Sequence, residues 1–153
     1  MQQFYCPPKI ITGDGCAAAV GQEAAATGAK RAVLVTDKVL REKTEAVHNA
    51  VASLKSAGLT VEVFDAVEPD PLVATAVRSA DFARSSDPDV IIGLGGGSPM
   101  DIAKATSAIL GNDAPLDLMW GTGNVPKPGA PLILMPTTAG TGSEVTPNSI
   151  LTD

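Results

Sequence analysis

Histidine, cysteine, aromatic residues and clustered positive charge are all scarce in this chain, and each scarcity removes a class of function. The one histidine, His48, stands in Glu45-Ala46-Val47-His48-Asn49 with no cysteine beside it. A metal centre built on imidazole is therefore not supported. The same shortage leaves Ser98 and Ser143 without a histidine base, which argues against a hydrolase triad. The two cysteines, Cys6 and Cys16, lack C-x-x-C spacing; they are expected to be ordinary buried thiols, not a zinc or redox motif. Aromatic residues make up only 3% of the chain, so a core must be built from Ala, Val, Leu and Ile. No run of Lys or Arg occurs and the net charge is −6. Binding to a phosphate backbone needs a basic patch, so a nucleic-acid partner is not expected. No apolar stretch approaches the ~20 residues of a membrane helix. The N-terminus has no basic segment followed by an apolar run, so no signal peptide is read there. The expectation is a soluble, cytoplasmic protein with no membrane partner.

What is present is a repeating alternation of strand and helix signals. With 153 residues, 44% hydrophobic and 18% charged, the chain suits one globular domain. Lys9-Ile10-Ile11 reads as a short edge strand after Pro7 and Pro8. Residues 17–26 read as an alanine-rich helix stopped by Gly28. Residues 31–37 form a buried strand pattern. A helix is expected over about 39–57, with Val47, Ala50, Val51 and Leu54 on its apolar face and Gly58 at its end. Residues 60–64 alternate as a strand. Asp70 then reads as an N-cap, with Pro71 opening a helix whose inner face is Val73, Ala76, Val77 and Ala80. After Asp87-Pro88-Asp89, Val90-Ile91-Ile92 reads as a strand buried on both faces. A helix with Ile102, Ala105 and Ile109 inward follows. Residues 111–131 are loop-like, residues 132–135 are a buried strand, and residues 149–152 begin another. The pattern predicts an α/β, Rossmann-like parallel sheet with helices on both faces, joined by right-handed crossovers.

The densest signal is Gly95-Gly96-Gly97-Ser98-Pro99-Met100-Asp101. Ser98 suits an N-cap, Pro99 a first helical turn, and Asp101 a position able to accept from free N–H groups. Bare backbone before a helix N-terminus is a site for phosphate, because free N–H groups and the positive dipole end converge there. A tight strand-to-helix turn with glycines for packing alone is the plain alternative. The spacing is neither the usual dinucleotide fingerprint nor a P-loop.

Ligands of such sheets sit at the carboxyl ends of the strands. Asp37 stands at one such end, where a carboxylate can bind the hydroxyls of an adenosine ribose and repel a 2′-phosphate; it can equally cap the next helix. Thr137 and Thr138 stand at another, in a loop of small residues suited to a ribose, a phosphate or an amide, or to plain local turns. The acids Asp101, Asp113, Asp117 and Glu144 are accounted for by capping and solvation. No catalytic group is identified.

Gly95 to Lys104 followed by Pro136-Thr137-Thr138-Ala139-Gly140-Thr141-Gly142-Ser143-Glu144-Val145-Thr146 resembles the iron-containing (group III) alcohol dehydrogenase family. Pro8 to Gly13 and Val35-Thr36-Asp37 match its N-terminal pattern. The resemblance covers essentially the whole chain and implies an N-terminal NAD-binding domain. It implies that Asp37 is the adenosine-ribose acid, that Gly96, Gly97 and Ser98 bind the pyrophosphate, and that Asp101 lies near the nicotinamide. It further implies that Thr137, Thr138 and Thr141 touch the adenine, phosphate and ribose portions, and that Asp70 faces the cofactor. The family's divalent metal, iron with zinc as the alternative, is held by one aspartate and three histidines. No counterpart of these is read here, so the C-terminal helical metal domain is expected to be absent from residues 1–153.

Residues 1–153 are accordingly expected to be the dinucleotide-binding fragment of a longer, homodimeric or higher-order enzyme. That enzyme would transfer a hydride reversibly between an alcohol or aldehyde and NAD, and the fragment alone would be inactive. Two alternatives remain open: the cofactor domain of a glycerol dehydrogenase or dehydroquinate synthase-like enzyme, and a non-catalytic dimerisation module using an edge strand near Lys9 to Thr12.

Overall fold

The computed structural model describes residues 6–112 and 114–153. Asp113 lies outside them. Strands β1 (Arg31–Val35), β2 (Thr60–Phe64), β3 (Val90–Gly95) and β4 (Leu132–Pro136) form one parallel sheet in the order β2-β1-β3-β4. The helices are α1 (Val20–Ala26), α2 (Lys38–Lys43), α3 (Ala46–Ser56), α4 (Val73–Ser86) and α5 (Gly97–Gly111). The expected Rossmann-like α/β arrangement is what forms. Every residue of β3 is buried, and every residue of β1 except Arg31. These central strands carry β-branched and leucine side chains on both faces because helices cover both. On one face Leu34 and Ile92 pack with Val20, Ala24 and Leu54 of α1 and α3. On the other, Val33, Val35 and Ile91 pack with Ala76, Ala83, Ile102 and Ala103 of α4 and α5.

The chain passes outward from β1 to β2 and returns to the other side of β1 as β3. Strand order therefore reverses between β1 and β3, and the loops leaving them diverge to open a crevice at their carboxyl ends. Two glycines let α5 sit close beneath it. A Cβ on Gly93 would lie 2.8 Å from both Ala103 Cβ and Leu134 Cδ2 and 3.2 Å from Met100 Cα. Gly95 has φ 150°, and a Cβ there would lie 2.6 Å from Pro99 Cγ.

Several local expectations are corrected. Residues 9–12 form no strand: the prolines before them cannot donate to a ladder, and Ile10 and Ile11 are 60% and 43% exposed. The single helix expected over 39–57 is two helices. Thr44 breaks it with φ −139° and ψ 160°. Its hydroxyl donates to Leu40 O at 2.7 Å and accepts from Ala46 N at 3.3 Å, offering the backbone an alternative to helix continuation. Asp70 is not an N-cap. It takes φ 51°, and α4 begins at Val73 with Leu72 as the capping position. Glu68 supplies the carboxylate instead, accepting from Leu72 N at 3.0 Å and Thr75 Oγ1 at 2.6 Å.

The inner face of α4 is made of Thr75, Ala76, Ser79, Ala80 and Ala83, with Val77 42% exposed. Small residues face α5 because the two helices meet closely enough for Thr106 Oγ1 to donate to Ser79 Oγ at 2.7 Å. The strand expected over 132–135 forms as Leu132–Pro136, but residues 132–135 are only half-buried and Pro136 is exposed, because β4 lies at the sheet edge. Residues 149–152 form only a bridge between Leu72 and Thr152. Cys6 and Cys16 are exposed, not buried. Among the described residues no helix is long and apolar enough to cross a membrane.

Two predictions follow from this packing. Gly93→Ala should lower the unfolding free energy by about 1–3 kcal/mol, because the added methyl overpacks the α5–β3–β4 contact; urea denaturation measures it. Burial raises the Glu68 carboxyl, but hydrogen bonds from Thr75 and Leu72 and the charge of Arg78 outweigh burial and hold it below 4.5. Asp89 is held below 3.8 by hydrogen bonds from the Lys30 and Arg31 backbone and from the Arg31 side chain. Groups that ionise more readily when folded stabilise fully above their unfolded values, and the contribution is lost as pH falls through the folded ones. The thermal midpoint should therefore drop progressively as pH falls below about 5. Glu68→Gln should flatten that drop in a pH series of melting curves.

Candidate functional site

The helix that follows β3 starts one residue after an extended Gly96, whose φ and ψ are −76° and −162°. Gly96 is thus the capping position and Ser98 the second helical residue, a correction to the expected N-cap. Pro99 remains within the first turn, where its missing N–H would have had no helical partner. No side chain caps this end. The N–H groups of Gly97 and Ser98 therefore belong to the set of helix-terminal donors, at the positive end of a 15-residue helix.

Gly96 and Gly97 contrast with Gly93 and Gly95. Neither has a positive φ, and a Cβ on either meets no close backbone. On Gly96 it would come within 3.4 Å of Thr138 Oγ1; on Gly97 it would lie 3.9 Å from Thr141 Cβ and Cγ2. Internal packing and backbone conformation thus do not demand glycine at these two positions. What their missing side chains leave is a narrow gap, about one methyl group wide, between the turn and the threonine loop, bordered by backbone N–H groups and hydroxyls.

The structure brings Gly96, Gly97, Thr138 and Thr141 together. Thr137 joins them through its N–H, which donates to Gly95 O at 2.8 Å and extends the β3–β4 ladder into the loop. Thr141 Oγ1 donates to Glu144 Oε2 at 3.3 Å. Asp37 stands at the end of the neighbouring strand β1 and caps α2, its Oδ1 accepting from Leu40 N at 2.7 Å. Asp70 lies farther out, exposed on the loop between β2 and α4.

Asp101 is different. It is 8% exposed, and its carboxylate is engaged within the protein. Oδ1 accepts from Ser143 Oγ at 2.7 Å and pairs with Lys104 Nζ at 2.8 Å, while Oδ2 accepts from Ile150 N at 3.2 Å. It does not serve the free N–H groups at the start of α5. Lys104, Ser143 and Ile150 were not among the sequence candidates. The available signal was a lysine three residues from an acid, with Met100, Ile102, Ala103 and Ala105 around them. A recess of about 330 Å³ lies at the opposite end of the sheet, bordered by Arg31 and Thr60 at the starts of β1 and β2. It lacks the helix N-terminus and glycine backbone that the crevice has. Among the described residues no group of three or more His, Cys, Asp or Glu side chains could hold a metal ion.

Comparison with known proteins gives this crevice a context. The family model for iron-containing alcohol dehydrogenase matches residues 7–153. NAD-dependent methanol dehydrogenase of Bacillus methanolicus is 34% identical over 153 residues, all of this chain and 40% of that protein. A 1,3-propanediol dehydrogenase of Citrobacter freundii is 35% identical over 154 residues, again all of this chain and 40% of that protein. The solved structure of a 1,3-propanediol oxidoreductase superposes with a TM-score of 0.95 at 35% identity, covering 99% of this chain and 40% of that one. The chain therefore spans about 40% of the length of these relatives. With the family's glycine turn and threonine loop facing one another across the strand ends, this chain belongs to the iron-containing alcohol dehydrogenase family.

Proposed function

We propose that the chain binds NAD in the crevice at the carboxyl ends of β1, β3 and β4, as the cofactor domain of an alcohol dehydrogenase. The observation that carries this reading is the pair Gly96 and Gly97. Their missing side chains open a gap against Thr138 and Thr141 at the uncapped start of α5. A pyrophosphate fits that chemistry: the N–H groups of Gly97 and Ser98 donate, the helix dipole favours the charge, and the Thr138 hydroxyl donates from the facing side, joined by that of Thr141 when it turns from Glu144. Asp37 accepts from the adenosine ribose while its cap to Leu40 is kept, and its charge disfavours a 2′-phosphate. Thr137 borders the same strand ends, and Asp70 stands farther out, on the loop after β2. Asp101 acts beneath the loop, where its carboxylate is already paired.

When bound, NAD accepts or returns a hydride, and that chemistry belongs to the cofactor. This chain's residues orient the dinucleotide and keep its charged centre against the helix terminus. The described residues do not fit the family's iron, or zinc in its place, because no suitable donor cluster occurs among them. No step through a metal is assigned to them. For the whole protein we read a cytoplasmic homo-oligomer acting on primary alcohols and their aldehydes. The substrate class follows the names of the methanol and 1,3-propanediol relatives. Spectrophotometric assay of the whole enzyme with primary and secondary alcohols would check it, and preference for secondary alcohols would refute it.

Fluorescence titration of the chain with NADH should show saturable binding. Gly96→Ala should keep the fold, because φ is ordinary there, yet weaken NADH binding by about tenfold, or ~1.4 kcal/mol. Unchanged affinity would remove the turn from the site. Asp37→Asn separates the two roles of that residue. Asn caps about as well as Asp, so the melting temperature should hold, while the preference for NADH over NADPH should fall by about tenfold. Parallel titrations with the two cofactors read the difference.

A further inference from the structure

Lys104 is a lysine where helix geometry would place an apolar residue. It lies in α5 between Ala103 and Ala105, both buried, and is itself 8% exposed. A buried ammonium is tolerated only when its donors are met. Here Nζ pairs with Asp101 Oδ1 at 2.8 Å, donates to Ser143 O at 3.0 Å, and donates also to Asn148 O. An ammonium has three hydrogens, so the three acceptors account for all of them. Two of those acceptors are backbone carbonyls of the segment that follows the threonine loop. Asp101 holds the same segment through Ser143 Oγ and Ile150 N, and Ser149 Oγ donates to Asp101 O at 2.8 Å. One turn of α5 thus grips residues 143–150.

The loop that carries Thr138 and Thr141 hangs between two anchors. At its start, Thr137 N is fastened to Gly95 O. At its end, Ser143 is fastened to Lys104 and Asp101. Between them Gly140 and Gly142 take φ of 90° and 67°, and Thr138 and Thr141 are exposed. The second anchor lies two residues past Thr141 and holds the end of the loop against α5. A buried ion pair adds little net stability over an apolar pair of similar volume. Its presence is better explained by direction: an ammonium aimed at two carbonyls fixes orientation as a methylene chain cannot.

We propose that Lys104 is a positioning residue that does not touch the cofactor. Through Asp101 and Ser143 it clamps the threonine loop opposite the glycine turn and sets the width of the pyrophosphate gap. This rests on the NAD reading above. Lys104→Met alone would strand a buried carboxylate and lose stability, so two other variants of the full chain test the clamp. Ser143→Ala removes one tie, and Asp101→Asn with Lys104→Met removes both charges together. Ile109→Val, a core truncation in α5 remote from the loop, serves as the control for stability loss.

Hydrogen exchange without cofactor should accelerate by about tenfold or more over residues 137–150 in both clamp variants, for a lost tie of ~1.4 kcal/mol, while β1 and β3 stay protected. NADH affinity should fall by about tenfold, and by more than in Ile109→Val at an equal drop in melting temperature. Unchanged exchange over 137–150 in the folded double variant would overturn the clamp. An affinity loss no larger than that of the control would overturn its role in the site. If the unsubstituted chain fails to bind NADH at millimolar concentration, the cofactor reading falls and the positioning role falls with it, while the exchange comparison still decides the clamp.

Discussion

The close seating of α5 against β3 governs both the core and the crevice of this domain. Gly93 leaves no side chain between the strand and the helix, so Ala103, Met100 and Leu134 converge on its Cα. The helix is then enclosed from nearly every side, and residues 99–107 are all buried. A helix so enclosed has a fixed axis. Its N-terminus accordingly has a fixed position at the end of β3, which an anion site made of backbone N–H groups requires.

The same enclosure explains the polar residues in that helix. Thr106 and Ser107 are buried but satisfied, Thr106 by Ser79 and Ser107 by the carbonyl of Ala130. Lys104 and Asp101 are satisfied by one another and by residues 143–150. Each bond ties α5 to a different neighbour: α4, the approach to β4, and the tail of the threonine loop. The helix connects the parts of the fold that meet at the crevice, and the polar contacts give those connections a direction that apolar packing alone lacks.

Membership of the iron-containing alcohol dehydrogenase family follows from similarity across residues 7–153. The reading of a cofactor gap follows from geometry: the glycines at 93 and 95 are required by packing or conformation, whereas those at 96 and 97 are not. The chain spans about 40% of the length of these relatives.

The sequence by itself determined the sheet, the order of its elements and the loops at the strand ends. Runs such as Val90-Ile91-Ile92 and Ala32-Val33-Leu34-Val35 have one low-energy fate, a strand buried on both faces, and glycines and prolines punctuate them. The Gly95–Ser98 turn and the Thr137–Thr141 loop were legible for the same reason. What the sequence could not decide was every choice made by a partner distant in the chain. Thr44 breaks a helix through a local hydroxyl, but the start of α4 is also held by a distant partner, Thr152 O, which receives the Val73 N–H at 2.9 Å. Lys9-Ile10-Ile11 has strand composition and no strand, because composition cannot supply a ladder partner. Asp101 reads as a helix-start acid until Ser143 and Ile150, more than forty residues on, claim its oxygens. Short-range preferences are written in neighbouring residues, whereas the partner of a buried charge is settled only when the chain has closed around it.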